Sequence, residues 1–82
     1  MNKRAKNRKG IEAFGSHLRQ LREQRNLSQQ AIADIADISK LTVQRIELAK
    51  VAVTVDVLIS LAHGLQIPMR ELMNFELPTE ER

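Results

Sequence analysis

The chain has no cysteine, tryptophan or tyrosine, and among its 82 residues only three glycines, two prolines and two phenylalanines. The missing cysteine excludes disulfides, thiolate nucleophiles and cysteine-ligated metal, and it leaves the protein indifferent to redox compartment. With Phe14 and Phe75 as the sole aromatics, both at positions that suit a core, the chain has no platform on which single-stranded bases could stack. No apolar run approaches the roughly 20 residues of a membrane span, and none follows the basic first nine residues as a secretory signal would require. A cytoplasmic protein without membrane attachment is expected. His17 and His63 fall on different predicted helices, with no ligand spacing or carboxylate partner around them. They read as helix-surface or boundary residues, so no metal, cofactor or catalytic site is expected.

A chain this short makes one domain and buries only about 60% of its unfolded surface, so its core must be simply patterned. The net charge of +3 is unevenly placed. Lys3, Arg4, Lys6, Arg8 and Lys9 meet no acid before Glu12, whereas from Glu12 onward 8 basic residues face 10 acidic ones. Attraction to a polyanion must therefore come from the first residues and a local patch. Residues 1–10 hold almost nothing that can be buried and are expected to form a disordered basic arm closed by Gly10. Residues 11–77 are expected to form the domain, and residues 78–82, opened by Pro78, a polar tail.

Within the domain the pattern is helical throughout. Ile11, Phe14, Leu18 and Leu21 recur at helix spacing and predict a first helix from Ile11 to Arg25, closed near Asn26. Ser28 and Ser39 each precede a short apolar-periodic segment and suit N-caps, so helices should begin at Gln29 and Lys40. Between them Ala33 is small, and Asp37 tolerates a left-handed turn. Ile32, Ile38, Val43 and Ile46 form one inward seam. Thr54 with Asp56 resembles a further N-cap, followed by the stripe Val57, Leu58, Leu61, Ala62 and Leu65, with Gly64 near its end. Pro68 suits the start of a fifth helix, Met69 to Phe75, with Leu72 inward. With Val43 and Ile46 buried, Leu41, Arg45 and Leu48 fall on the outer face of the third helix and Gln44 on its flank.

From Phe14 to Met73 these residues resemble the Cro/repressor-type (XRE) helix-turn-helix family. The likeness is carried by Leu21-Arg22, Leu27-Ser28-Gln29, Ile32-Ala33, Ile38-Ser39, Val43, Ile46-Glu47, and Leu58 to Leu65. It implies an all-α, five-helix, lambda-repressor-like domain that binds double-stranded DNA as a homodimer on a two-fold operator, most simply as a repressor. Lys40, Leu41, Thr42, Gln44 and Arg45 match base-contacting positions, with Arg45 suited to guanine, Gln44 to adenine and Leu41 to a thymine methyl. Gln29, Ser39 and Lys50 match phosphate-facing positions. Arg22 and Glu47 match an ion pair bridging the first and third helices, and the arm cations Lys3, Arg4, Lys6, Arg8 and Lys9 would add DNA contacts. Phe75 and Leu77 are candidates for the dimer contact, or else pack on their own domain.

Three positions depart from the family pattern: Asp37 and Ala49 stand where glycine is frequent, and Val53 where proline is. A left-handed Ala49 would cost about 1 kcal/mol relative to Gly, so the third helix is expected to run past Glu47 or the loop to turn differently. Leu48, Val51 and Val53 make that loop apolar. Together with Leu41 they support a rival reading, an antitoxin that binds a toxin protein and represses its own operon.

Overall fold

The computed structural model describes residues 7–78, and among these it contains five helices and no strand. They are α1 (Arg8–Gln24), α2 (Gln29–Ala36), α3 (Lys40–Glu47), α4 (Val55–Leu65) and α5 (Met69–Leu72). The first helix starts three residues before the expected Ile11. Arg8 and Glu12 form an i,i+4 ion pair at 3.5 Å across its first turn, and the Ile11 amide bonds to the Asn7 carbonyl. Gly10 therefore lies within α1 instead of closing the arm, and Arg8 and Lys9 are helical. Lys3, Arg4 and Lys6 lie outside the described residues, as do residues 79–82 of the expected tail.

Three helix starts follow local side-chain chemistry. Ser28, Ser39 and Thr54 each adopt extended backbone geometry, and each hydroxyl accepts a bond from the amide three residues on, at 3.0, 3.0 and 3.2 Å. Pro68 precedes α5, which stops at Leu72 rather than Phe75. Phe75 lies in the irregular segment beyond it.

The helix ends follow a different rule. α1 to α4 each end at a left-handed residue that is not glycine: Asn26, Asp37, Ala49 and Gln66, with φ between 55° and 58°. At every one, the amide of the left-handed residue bonds the carbonyl three back, and the next amide bonds the carbonyl five back. The expectation for Ala49 is thus corrected. Its amide bonds Ile46 and that of Lys50 bonds Arg45, so two otherwise orphaned carbonyls are satisfied and offset the strain of a left-handed Ala. Gly64 lies near the end of α4, as expected, and Gln66 takes the left-handed conformation that closes it.

Phe14, Leu18 and Leu21 of α1 meet Ile32 of α2, Val43 and Ile46 of α3, Leu61 and Leu65 of α4, and Leu72 of α5 in one buried cluster. Ile38, Val57 and Leu58 are half-buried against it. Each fully buried aliphatic side chain contributes about 1.5–3 kcal/mol. Two glycines let backbones touch. A Cβ on Gly15 would lie 2.5 Å from the Ile46 carbonyl oxygen, and one on Gly64 would lie 3.0 Å from that of Ile35. α3 is thereby held hard against α1, and α4 against α2.

Candidate nucleic-acid interface

Burial of Val43 and Ile46 turns the opposite side of α3 outward. Lys40 and Arg45 are exposed there, with Leu41 at 50% and Leu48 at 66% exposure, while Gln44 and Thr42 are half-buried at the flank. Among the described residues, no ion pair or side-chain hydrogen bond engages Lys40, Gln44 or Arg45, which leaves their polar groups to solvent or a ligand. Thr42 differs. Its hydroxyl lies 2.8 Å from that of Ser39, whose oxygen also accepts the Thr42 amide, so both hydroxyls serve the start of α3.

Beneath this face lies a polar node that joins three helices. Arg22 donates from Nε to Glu47 Oε2 at 2.7 Å and from Nη2 to Glu47 Oε1 at 3.0 Å, a two-pronged pair whose side chains are 12% and 4% exposed. Its Nη1 donates to the Leu27 carbonyl at 2.9 Å and so ties the α1–α2 link into the node. The hydrogen bonding that Arg22 donates to the Glu47 carboxylate raises the Arg22 pKa above the usual guanidinium value, against the opposing effect of burial. The third member is Gln29, whose Nε2 donates to Glu47 Oε1 at 3.0 Å. That bond was not anticipated from sequence. A carboxylate only accepts, so it fixes which end of the Gln29 amide points inward; the second N–H and the carbonyl oxygen are left for other partners.

The phosphate-facing candidates of the loop and the arm converge. Arg8 and Lys50 line the same small cleft, of about 140 Å³, together with Ile11 and residues 49–52. The Lys50 amide is already bonded to Arg45, so the side chain is what it can offer to a ligand. The loop's apolar residues divide: Val51 and Val53 pack against the core, whereas Leu48 does not.

Phe75 and Leu77 also part company. The Phe75 ring lies 5.9 Å from Phe14 and 5.5 Å from the His17 ring, so it packs on its own domain, while Leu77 is 74% exposed. His17 Nε2–H donates to the Glu71 carbonyl at 3.1 Å and fastens the end of α5 to α1. His63 is exposed in the last turn of α4. Among the described residues, no group of three or more His, Cys, Asp or Glu side chains could hold a metal, and no helix is long and apolar enough to cross a membrane.

Gly15 is the structural residue that sequence reasoning passed over. Its signal was present: it occupies the apolar stripe of α1, four residues after Ile11 and three before Leu18, where a missing side chain marks a close helix contact.

Two capped short helices joined by a left-handed turn, the second turning an unpaired polar face outward, define a helix-turn-helix protein. Comparison with family models agrees: the helix-turn-helix model HTH_3 matches residues 18–72, and the chain belongs to that family, whose members are DNA-binding transcriptional regulators. Among solved structures it is similar to the restriction-modification controller protein C.AhdI from Aeromonas hydrophila, at 32% identity and a TM-score of 0.73 over 76% of this chain and 94% of that one. It is also similar to an HTH_3 family transcriptional regulator from Vibrio cholerae, at 25% identity and a TM-score of 0.78, over 82% of this chain but 38% of that one. The clp gene regulator ClgR from C. glutamicum shares the fold at 22% identity and a TM-score of 0.71, over 77% of this chain and 82% of that one. Comparison with curated proteins gave no match.

Proposed function

We propose that the protein is a sequence-specific, double-stranded DNA-binding repressor that acts in the cytoplasm as a homodimer on a two-fold operator. The observation that carries this reading is the outward face of α3, where Lys40, Gln44 and Arg45 have no side-chain partner among the described residues and stand beside exposed Leu41, on the helix that Glu47 ties to α1 and α2. A helix laid in the major groove presents such a face to base edges: Arg45 suits the two acceptors of guanine, Gln44 an adenine and Leu41 a thymine methyl. Lys40 and Thr42 flank them.

Gln29, Ser39 and Lys50 are assigned to the phosphates on either side, which fix register without reading sequence. The second N–H of Gln29 is the one available for that contact. Arg8 lines the same cleft as Lys50, so the start of α1 lies beside the loop proposed to meet phosphate. This supports a path along the duplex for the preceding cations Lys3, Arg4 and Lys6, with Lys9 alongside. Likeness to a restriction-modification controller protein over 94% of its length supports a regulatory role.

The antitoxin reading keeps only part of its support, because Val51 and Val53 pack on the core and leave Leu41 and Leu48 as its exposed residues. The two readings separate on isolation from the host, where an antitoxin brings a stoichiometric protein with it. A reporter transcribed across the preferred DNA sequence tests the main one. Repression predicts that the protein lowers its output and that Arg45→Ala restores it; unaltered output contradicts the assignment.

A further inference from the structure

Glu47 is the last residue of α3, two positions beyond Arg45, and its buried carboxylate serves two donors. Oε2 accepts from Arg22 Nε, while Oε1 accepts from both Arg22 Nη2 and Gln29 Nε2, each at 3.0 Å. The guanidinium offsets the carboxylate, so an anion close to Gln29 meets a neutral pair rather than a bare negative charge. Gln29 also opens α2. There the Ser28 hydroxyl takes the Ala31 amide, and among the described residues nothing accepts from the backbone amides of Gln29 and Gln30. Negative charge is favoured beside them.

Resting on the phosphate contact proposed above for Gln29, we propose that Glu47 is the positioning residue of that contact: it holds the amide so that an N–H, and not the carbonyl oxygen, meets the phosphate. Turning the amide over would set two oxygens 3.0 Å apart with no proton between them, so the bond to Glu47 selects one orientation. The N–H not given to Glu47 is then the one left for DNA. A free glutamine must give up several rotamers when it grips a ligand, whereas this side chain has given them up before DNA arrives. Because Glu47 stands on α3, the same bond ties the phosphate-gripping side chain to the helix that carries Gln44 and Arg45. A carboxylate inside the fold thereby acts on DNA affinity without touching DNA.

The test is a double-mutant cycle on the full chain, read as affinity for a random-sequence duplex, since a phosphate contact does not depend on base sequence. In the wild-type background Gln29→Ala is expected to weaken binding about tenfold, the scale of one hydrogen bond to a charged group. In the Arg22→Met, Glu47→Leu background, where Gln29 has lost its acceptor and no charge is stranded, the same change is expected to cost about twofold or less. Equal losses in the two backgrounds overturn the role of Glu47 and leave the phosphate contact standing. No loss in either overturns both, and a wild-type chain that binds no duplex overturns the DNA-binding reading with them. A second readout needs no substitution and decides the matter should the double variant fail to fold. In the NMR spectrum of the free wild-type protein, one Gln29 side-chain amide proton is expected to be protected from exchange with water, and the other to shift more when the duplex is added. Two equally unprotected protons would mean that Glu47 does not hold the amide.

Discussion

Gly15 lies so close to Ile46 that a Cβ on the glycine would come within 2.5 Å of the isoleucine carbonyl oxygen. The obstacle is backbone at the end of α3 and cannot rotate away. Gly15→Ala must push α3 off α1, and overpacking of this kind costs about 1–3 kcal/mol. Urea denaturation is expected to show that loss, and a wild-type midpoint would mean that the helices part freely. Gly64→Ala, with its nearest atom at 3.0 Å, is expected to cost less.

Removing one partner of the Arg22–Glu47 pair strands the other charge in a nearly closed site. Arg22→Ala and Glu47→Ala are each expected to lower stability by about 3 kcal/mol. Arg22→Met combined with Glu47→Leu is expected to cost less than either single change, because no charge remains buried. Melting of both alanine variants within a degree of wild type would deny the pair its structural role. Since the pKa of Arg22 is raised, its contribution is complete below the usual guanidinium value and is lost only as pH rises through the higher folded value. Arg22 therefore introduces no pH dependence near neutrality.

Ala49 closes α3 with φ of 57°, a conformation that costs an L-residue about 1–2 kcal/mol. Glycine removes that strain, and the extra chain entropy it gives the unfolded state offsets only part of the gain, so Ala49→Gly is expected to stabilise by about 0.5–1 kcal/mol. Gln66→Gly, at φ of 58°, is expected to act in the same direction. A fall in the urea midpoint for both would show that these side chains contribute more than their backbone strain costs.

These caps explain what was legible in the sequence. Ser28, Ser39 and Thr54 announced their helices because an N-cap is made by the residue's own hydroxyl within three positions of chain. The ends were less legible. The left-handed positions hold Asn, Asp, Ala and Gln, while the glycines that normally mark such ends serve elsewhere, Gly15 and Gly64 in contacts between helices and Gly10 inside α1. Arg22 and Glu47 were paired through family likeness and the inward residues beside them. The Gln29 bond to Glu47 and the meeting of Arg8 with Lys50 depend on how three helices pack, which no local window contains.

The start of α1 at Arg8 also bears on the arm. Deleting residues 1–9 would cut into the helix, whereas deleting residues 1–6 removes Lys3, Arg4 and Lys6 and spares it. If these cations meet phosphates, the slope of log affinity against log salt is expected to fall by about 2–3, at roughly 0.9 for each phosphate no longer neutralised. An unchanged slope would mean that the arm does not touch the duplex.

Arg45, exposed and unpaired on α3, is expected to read one base. Arg45→Ala should cost about 1–3 kcal/mol of binding and relax preference at a single base pair. Equal weakening on every sequence would place the guanidinium on phosphate instead.

Whether the outer face of α3 reads DNA in a two-fold dimer is tested most directly by selecting bound fragments from a random duplex pool. The expected result is an enriched motif with two inverted half-sites whose centres lie about one helical turn, 34–36 Å, apart. Loss of preference at one position in each half-site with Arg45→Ala would locate α3 in the groove. A pool that yields no enriched sequence, or a motif without inverted symmetry, would contradict this reading.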